Sequence, residues 1–176
     1  MSDPQRLQQW LNTALEMERK GKDFYDKAQK DAGNDMARDI FRMLGEEEIV
    51  HMDRINRIYD AVKKEGTFTE AWKECVPQHE DLVGIFREMA KRYGKDIPKT
   101  ESDVKALEMG IDFESQSVKF YKDQIDKAES EQEKEFLEKM VKEEKSHHDA
   151  FADMKFYLSD PESYFREMEK GQLDGA

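Results

Sequence analysis

Apolar residues recur along this chain at alternating steps of three and four, the spacing that lines one face of an α-helix packed against others. Ser2 or Asp3 followed by Pro4 is a helix-start signal, and a first helix is predicted from there to about residue 30. Its seam reads Leu7, Leu11, Ala14, Glu18, Gly21, Tyr25 and Ala28. The Ala32-Gly33-Asn34 turn leads into a second helix over about 35–64, with Phe41, Leu44, Glu48, His51, Ile55, Ile58 and Val62 on its seam. Residues 65–101 break the pattern with Gly66, Pro77, Gly94 and Pro98 and read as a long crossover, although HEDLVGIFREMAKRY within it could make a short helix. A third helix over about 102–128 begins at a cap on Thr100 or Ser102 and carries Leu107, Gly110, Glu114, Ser117 and Tyr121, with Ile111, Val118 and Ile125 widening the stripe. After a turn near Glu129-Ser130, a fourth over about 131–158 shows Leu137, Met140, Glu144, His147, Phe151, Met154 and Leu158. Asp160-Pro161 starts a short tail helix within 160–176. The expected fold is all-α, a four-helix bundle in a single domain of residues 1–176 with a long crossover between helices 2 and 3 and a short C-terminal helix. The pattern leaves open whether the crossover packs on its own bundle or exchanges with a neighbour.

Ionisable residues on otherwise oily seams are what this pattern does not explain. Shifting the sequence by 96 residues superposes Glu18 on Glu114, Tyr25 on Tyr121, Glu48 on Glu144 and His51 on His147 without a gap. The same shift carries Phe41, Leu44, Ile55, Ile58 and Val62 onto Leu137, Met140, Phe151, Met154 and Leu158. Numbering alone sets the level of these groups: Glu18 and Glu48 average to position 33, in one turn, and Glu114 and Glu144 to 129, in the other. At about 1.5 Å rise per residue each glutamate lies on the order of 20 Å from its turn, near mid-helix. Each histidine follows its glutamate by three, so both project from one face. Six side chains therefore converge at one level of the bundle.

Four carboxylates in an apolar seam cost several kcal/mol per uncompensated ion, on the order of what a whole domain has to spare. Two divalent cations would neutralise them and complete their oxygens. Mixed carboxylate and imidazole donors favour iron or manganese, with zinc able to substitute. Glu47 and Glu143 also repeat, four residues before the histidines, and are rival ligands; the seam spacing selects Glu48 and Glu144. Tyr25 and Tyr121, two turns from the upstream glutamates, either hydrogen-bond a ligand or enter redox chemistry, or else pack in the core with satisfied hydroxyls. His79 and His148 are read as exposed or locally bonded, Trp10 and Trp72 as covers of the bundle, and the runs Glu46 to Glu48 and Glu143-Glu144 as largely solvated faces.

Composition narrows the remaining classes. Charged residues make up 40% of the 176 and the net charge is −12, which argues against nucleic acid and anionic membranes as partners. No apolar run is long enough to span a bilayer, and MSDPQRLQQW lacks the layout of a secretion signal, so the expected compartment is the cytoplasm. Cys75 is the only cysteine, which excludes an internal disulfide and any cysteine-rich metal site within the chain.

Through ALEMERKGKDFY with GEEEIVHMD, and MGIDFESQSVKFY with KEEKSHHD, the sequence resembles the rubrerythrin family of the ferritin-like di-iron carboxylate superfamily, over about residues 7–160. The resemblance implies that Glu18, Glu48, His51, Glu114, Glu144 and His147 are ligands of two iron ions, and that the activity is reduction of hydrogen peroxide with oxidation of ferrous iron. Rubrerythrins often carry a further glutamate three residues after the third-helix ligand; here that position is Ser117 and its repeat partner is Gly21, a symmetric arrangement found also in bacterioferritin-type ferroxidase centres. Full-length members add a small four-cysteine iron domain that feeds electrons to the site, which one cysteine cannot build, so the resemblance implies an external electron-donor protein such as a rubredoxin. A homodimer is expected. Three functions stay open at this point: a di-iron peroxidase acting on peroxide or dioxygen, a ferroxidase, iron-storage or iron-oxygen sensing protein, and a bundle that metals only stabilise.

Overall fold

Capping chemistry starts each long helix where the sequence places it. The computed structural model describes residues 3–173. Helix α1 spans Pro4–Asp31, with the Asp3 side chain accepting from the backbone N–H of Gln5; Ser2, the other candidate cap, lies outside the described residues. Helix α2 spans Asp35–Glu65 from an Asn34 cap, and stops at Gly66, whose φ of 72° is open to glycine at little steric cost. Helix α3 spans Leu82–Tyr93, α4 Glu101–Ile125, α5 Glu131–Ser159 and α6 Pro161–Leu173. Thr100, not Ser102, caps α4, in a reciprocal box with Asp103. Helix α4 ends three residues before the expected position because Lys127 and Ala128 donate to Gln124 and Ile125, three residues back, tightening the last turn out of α-geometry. The tail helix forms as expected, and residues 174–176 of that segment lie outside the described residues.

The chain is all-helical, with α1, α2, α4 and α5 as the bundle. Its two hairpins, α1 with α2 and α4 with α5, are the most extensive contacts in the molecule. Every seam residue named from the sequence on these four helices is buried, Glu and His included, while Ile111, Val118 and Ile125, which widen the stripe of α4, are half-buried. The crossover is more regular than its glycines and prolines suggest: a 3-10 turn at Ala71–Glu74 precedes α3, and both lie on the chain's own bundle. Trp72 packs on Phe136 with ring centroids 5.3 Å apart, Trp10 on Phe68 at 6.4 Å, and Phe86 on Tyr157 at 5.9 Å. No helix among the described residues is long and apolar enough to cross a membrane.

The apolar core divides into two blocks. One gathers Ala28, Met36, Phe41, Leu44, Leu107, Phe151 and Met154 at the Gly33 end. The other gathers Leu7, Leu11, Ile55, Ile58, Phe136, Leu137 and Met140 at the Glu129 end. Burying each of the larger of these side chains contributes about 1.5–3 kcal/mol, so each block holds its end of the bundle shut. The polar seam residues lie between them.

Polar ties lock both ends. Asp103 accepts from the N–H of Gly33 at 2.8 Å and from the N–H and hydroxyl of Thr100, both at 2.9 Å, joining the α1–α2 turn to the start of α4. A side chain at position 33 would place its Cβ 2.7 Å from Asp103 Oδ2 and 2.8 Å from Thr100 Cγ2, so the approach requires glycine. At the other end Arg6 grips Glu133 through both terminal nitrogens, at 2.9 and 2.7 Å, and Trp10 Nε1 adds a third bond at 3.1 Å. Asp103→Ala is expected to lower unfolding stability by about 2 kcal/mol, a cap and a buried acceptor lost together. The check is the urea midpoint, which should fall at constant m-value, whereas Lys105→Ala on the exposed face should move it by no more than about 0.5 kcal/mol equivalent.

Candidate metal centre

Between the two apolar blocks, α1 supplies Glu18, α2 supplies Glu48 and His51, α4 supplies Glu114, and α5 supplies Glu144 and His147. All six are at most 3% exposed. Both imidazoles turn Nδ1 inward: His51 Nδ1 is 3.2 Å from Glu18 Oε2, 3.2 Å from Glu144 Oε1 and 3.6 Å from Glu48 Oε2. His147 Nδ1 is 3.5 Å from Glu144 Oε2 and 3.6 Å from Glu114 Oε1. The two rings stack with centroids 5.4 Å apart. Donor atoms of Glu48, Glu114, Glu144 and His147 lie within 4.8 Å of one another, as do those of Glu18, His51 and Glu144. The structure thus brings together all six residues that the repeat singles out.

Around them lies a layer that the sequence resolved only partly. The tyrosines cross between halves: Tyr25 on α1 donates its hydroxyl to Glu114 on α4, and Tyr121 on α4 donates to Glu18 on α1. Both hydroxyls thus bond candidate ligands, and both rings pack in the core. Glu47 and Glu143 turn away from the cluster, but not into solvent. Glu47 is 2% exposed and accepts from the backbone N–H groups of Gln78 and His79 at 2.9 and 2.7 Å. Glu143 pairs with Arg54 and, at 3.0 Å, with Lys139, and its Oε2 lies 3.2 Å from His51 Nε2. The expectation of solvated faces at Glu46 to Glu48 and Glu143-Glu144 is therefore corrected: crossover N–H groups hold Glu47, Arg54 holds Glu143, and Glu48 and Glu144 face the cluster. Arg54 was missed altogether, although Glu47, His51, Arg54 and Ile58 follow the same four-three-four spacing as the seam. His79 is bonded locally to Glu46 at 2.8 Å and His148 lies 3.1 Å from Asp149, as expected of both.

Seven buried atoms of the cluster residues lack a hydrogen-bond partner among the described residues: both oxygens of Glu48, both of Glu144, Oε2 of Glu114, Nδ1 of His147 and Nε2 of His51. Orphans of this number in a packed interior need a further group to complete them. Their chemistry, hard carboxylate oxygens with borderline imidazole nitrogens, is that of a transition-metal site. The sequence also matches the rubrerythrin family profile over residues 9–155 of the 176. The chain belongs to the rubrerythrin family. No curated protein and no solved structure gives a match. Membership of the rubrerythrin family and the buried Glu/His cluster together point to metal binding.

Electrostatics set how this rubrerythrin-family site behaves with protons in place of metal. Burial, with the charge of neighbouring Glu18, holds the Glu48 carboxyl well above its usual range. Burial and then Glu144 push Glu114 up to about 8. For the imidazoles burial acts downward, but Glu144 and its neighbours outweigh it at His51, and Glu114 with Glu144 carry His147 up to about 10. Burial likewise opposes ionisation of Glu144, yet the two imidazoles hold it well below the usual carboxylate value.

A group whose folded pKa is raised stabilises the fold fully below its unfolded pKa and loses that contribution as pH climbs through the folded one. The window runs from 4.5 to about 8 for Glu114 and from 6.5 to about 10 for His147, with Glu48 and His51 acting in the same direction. Glu144, and Glu143 beside His51, act oppositely, losing their contributions in acid. The Tm of metal-free protein is therefore expected to fall as pH is raised from about 5 to about 9, while protein loaded with divalent cations, which displace these protons, should hold its Tm across that range. Scanning calorimetry on both forms checks this; a metal-free Tm that rises over the interval contradicts the assigned protonation.

Proposed function

We propose that this chain is a di-iron oxidoreductase that reduces hydrogen peroxide, or dioxygen, with oxidation of Fe(II) and electrons from a separate donor protein such as a rubredoxin. The observation that carries this reading is the shared carboxylate: Glu144 belongs to both groups of convergent donors, each of which contains one imidazole. A carboxylate common to two such groups is the arrangement that sets two ions side by side. Glu18, Glu48, His51, Glu114, Glu144 and His147 would hold them, with manganese or zinc as substitutes for iron. When bound as Fe(II), the ion pair supplies one electron from each metal, so that one H2O2 and two protons become two waters.

The chain's own groups do the rest. Burial and the facing carboxylates keep the Tyr25 and Tyr121 hydroxyls protonated, so both act as fixed donors that orient Glu114 and Glu18. The two apolar blocks exclude water above and below the cluster. Low local dielectric there strengthens every charge interaction that accompanies a change of oxidation state.

A second reading, ferroxidase chemistry in iron handling or sensing, draws on Ser117 and Gly21. Neither position three residues after an upstream glutamate carries a carboxylate, and a Cβ at Gly21 would lie 2.6 Å from the Phe113 ring and 3.3 Å from the Glu48 carboxyl carbon.

Rapid mixing separates the readings. Protein loaded without oxygen with two Fe(II) per chain is expected to consume about one peroxide per two irons within seconds, seen as ferric absorbance in the near ultraviolet. Oxidation by dioxygen that outpaces peroxide by about tenfold or more would favour the ferroxidase. No oxidation by either within minutes would leave the metals a structural role only. Glu144→Ala, which removes the shared carboxylate, should keep its helical circular dichroism while binding fewer than two irons per chain.

A further inference from the structure

The 96-residue repeat makes Glu143 and Glu47 equivalent, yet the structure uses them differently. On one side, His51 points Nδ1 into the cluster and Nε2 toward Glu143, 3.2 Å away and off the axis of the ring N–H. Glu143 is itself gripped by Arg54 and by Lys139. Arg54 is 1% exposed, and its Nε donates to the Cys75 carbonyl at 2.9 Å, so this chain of groups ends on the crossover backbone. On the other side, symmetry would set Glu47 against His147 Nε2. The crossover intercepts it: Gln78 and His79 donate their backbone N–H groups to Glu47 Oε1, and no ion pair joins Glu47 to His147 among the described residues. The repeat partner of Arg54 is Ala150, which offers no cation. His147 instead lines a cavity of about 320 Å³ shared with Glu47, His79, Lys142, Glu143 and Ser146, with no carboxylate paired to its Nε2 among the described residues.

One strip of crossover, residues 75–79, thereby imposes opposite conditions on the two histidines. A carboxylate behind a ligating imidazole fixes which nitrogen faces the metal and raises its basicity, and loss of such a partner typically costs about 10- to 100-fold in metal affinity. An imidazole with a cavity beside it and no carboxylate paired to its outer nitrogen has neither restraint. We propose that the two metal positions are inequivalent: the position at His51, backed at 3.2 Å by the Glu143 carboxylate that Arg54 holds, fills first, and the position at His147 exchanges its divalent cation through the adjoining cavity. Glu143 is on this account a positioning residue that acts through His51. The inference rests on the dimetal reading above.

The test is a titration of metal-free full-length protein with Co(II), followed by d–d absorbance and by calorimetry, then removal of the metal with a chelator. The wild type is expected to bind two ions in two steps that differ by about tenfold or more, and to release one ion in a fast phase and one in a slow phase. Glu143→Gln should weaken the first step by about 10-fold or more and leave the second within about threefold, so that the steps merge. Arg54→Lys, which keeps the charge but not the fork, should move the first step in the same direction and serves if Glu143→Gln fails to fold. Ser146→Trp, placed in the cavity wall, should slow the fast release phase and leave the slow one unchanged. Two ions bound with indistinguishable constants and one release phase, or Glu143→Gln weakening both steps alike, would overturn the inequivalence while leaving the dimetal site standing. Binding of fewer than two ions by the wild type would overturn both.

Discussion

Everything in this molecule answers to one constraint: four carboxylates and two imidazoles are buried between two apolar blocks that would close over them if they could. Such groups are tolerated in a low-dielectric interior only with partners of opposite charge, whether protons or cations. The architecture divides the task of holding them in place. Core packing at each end supplies the cohesion, since the middle layer contributes little hydrophobic burial of its own. The ties at Asp103 and at Arg6 with Glu133 hold the hairpins in register, so the six side chains meet at one level.

The centre was legible because its residues violate a strong pattern at repeated positions. A glutamate among leucines and isoleucines at seam spacing has no ordinary explanation, and its recurrence 96 residues later removes coincidence. Helix starts were legible for a comparable reason: Pro4, Asn34, Thr100 and Ser130 bring cap chemistry that is local in sequence. The surrounding layer obeys no such local rule. Arg54 and Glu143 are charges in helices full of charges, and only tertiary packing reveals that they meet each other rather than water. The same holds for Glu47, whose partners are backbone amides 31 and 32 residues further along the chain. The crossover's glycines and prolines read as irregular structure, yet Asp81 caps a helix there and Leu82, Phe86 and Ala90 supply its buried stripe.

That crossover does more than connect α2 to α4. Its aromatic residues cover the bundle, and its backbone at Cys75, Gln78 and His79 reaches Arg54 and Glu47 on α2, next to the helix face that carries Glu48 and His51. Cys75 itself is buried, donates its thiol to Asp53, and has its pKa pushed up to about 11, a setting that suits packing rather than nucleophilic or redox chemistry. A segment that reads as a linker is thus part of what shapes the centre.

The crossed tyrosines carry a consequence of their own. Because Tyr25 serves Glu114 and Tyr121 serves Glu18, neither hairpin completes its own half of the centre. Each would be functional only against a companion, and two identical hairpins paired about a twofold axis would satisfy the same contacts. Covalent fusion of the two removes a restriction that such a homodimer could never escape, namely that any change in one half appears in the other. Gly21 opposite Ser117, and Arg54 opposite Ala150, are differences that a pair of identical hairpins could not carry.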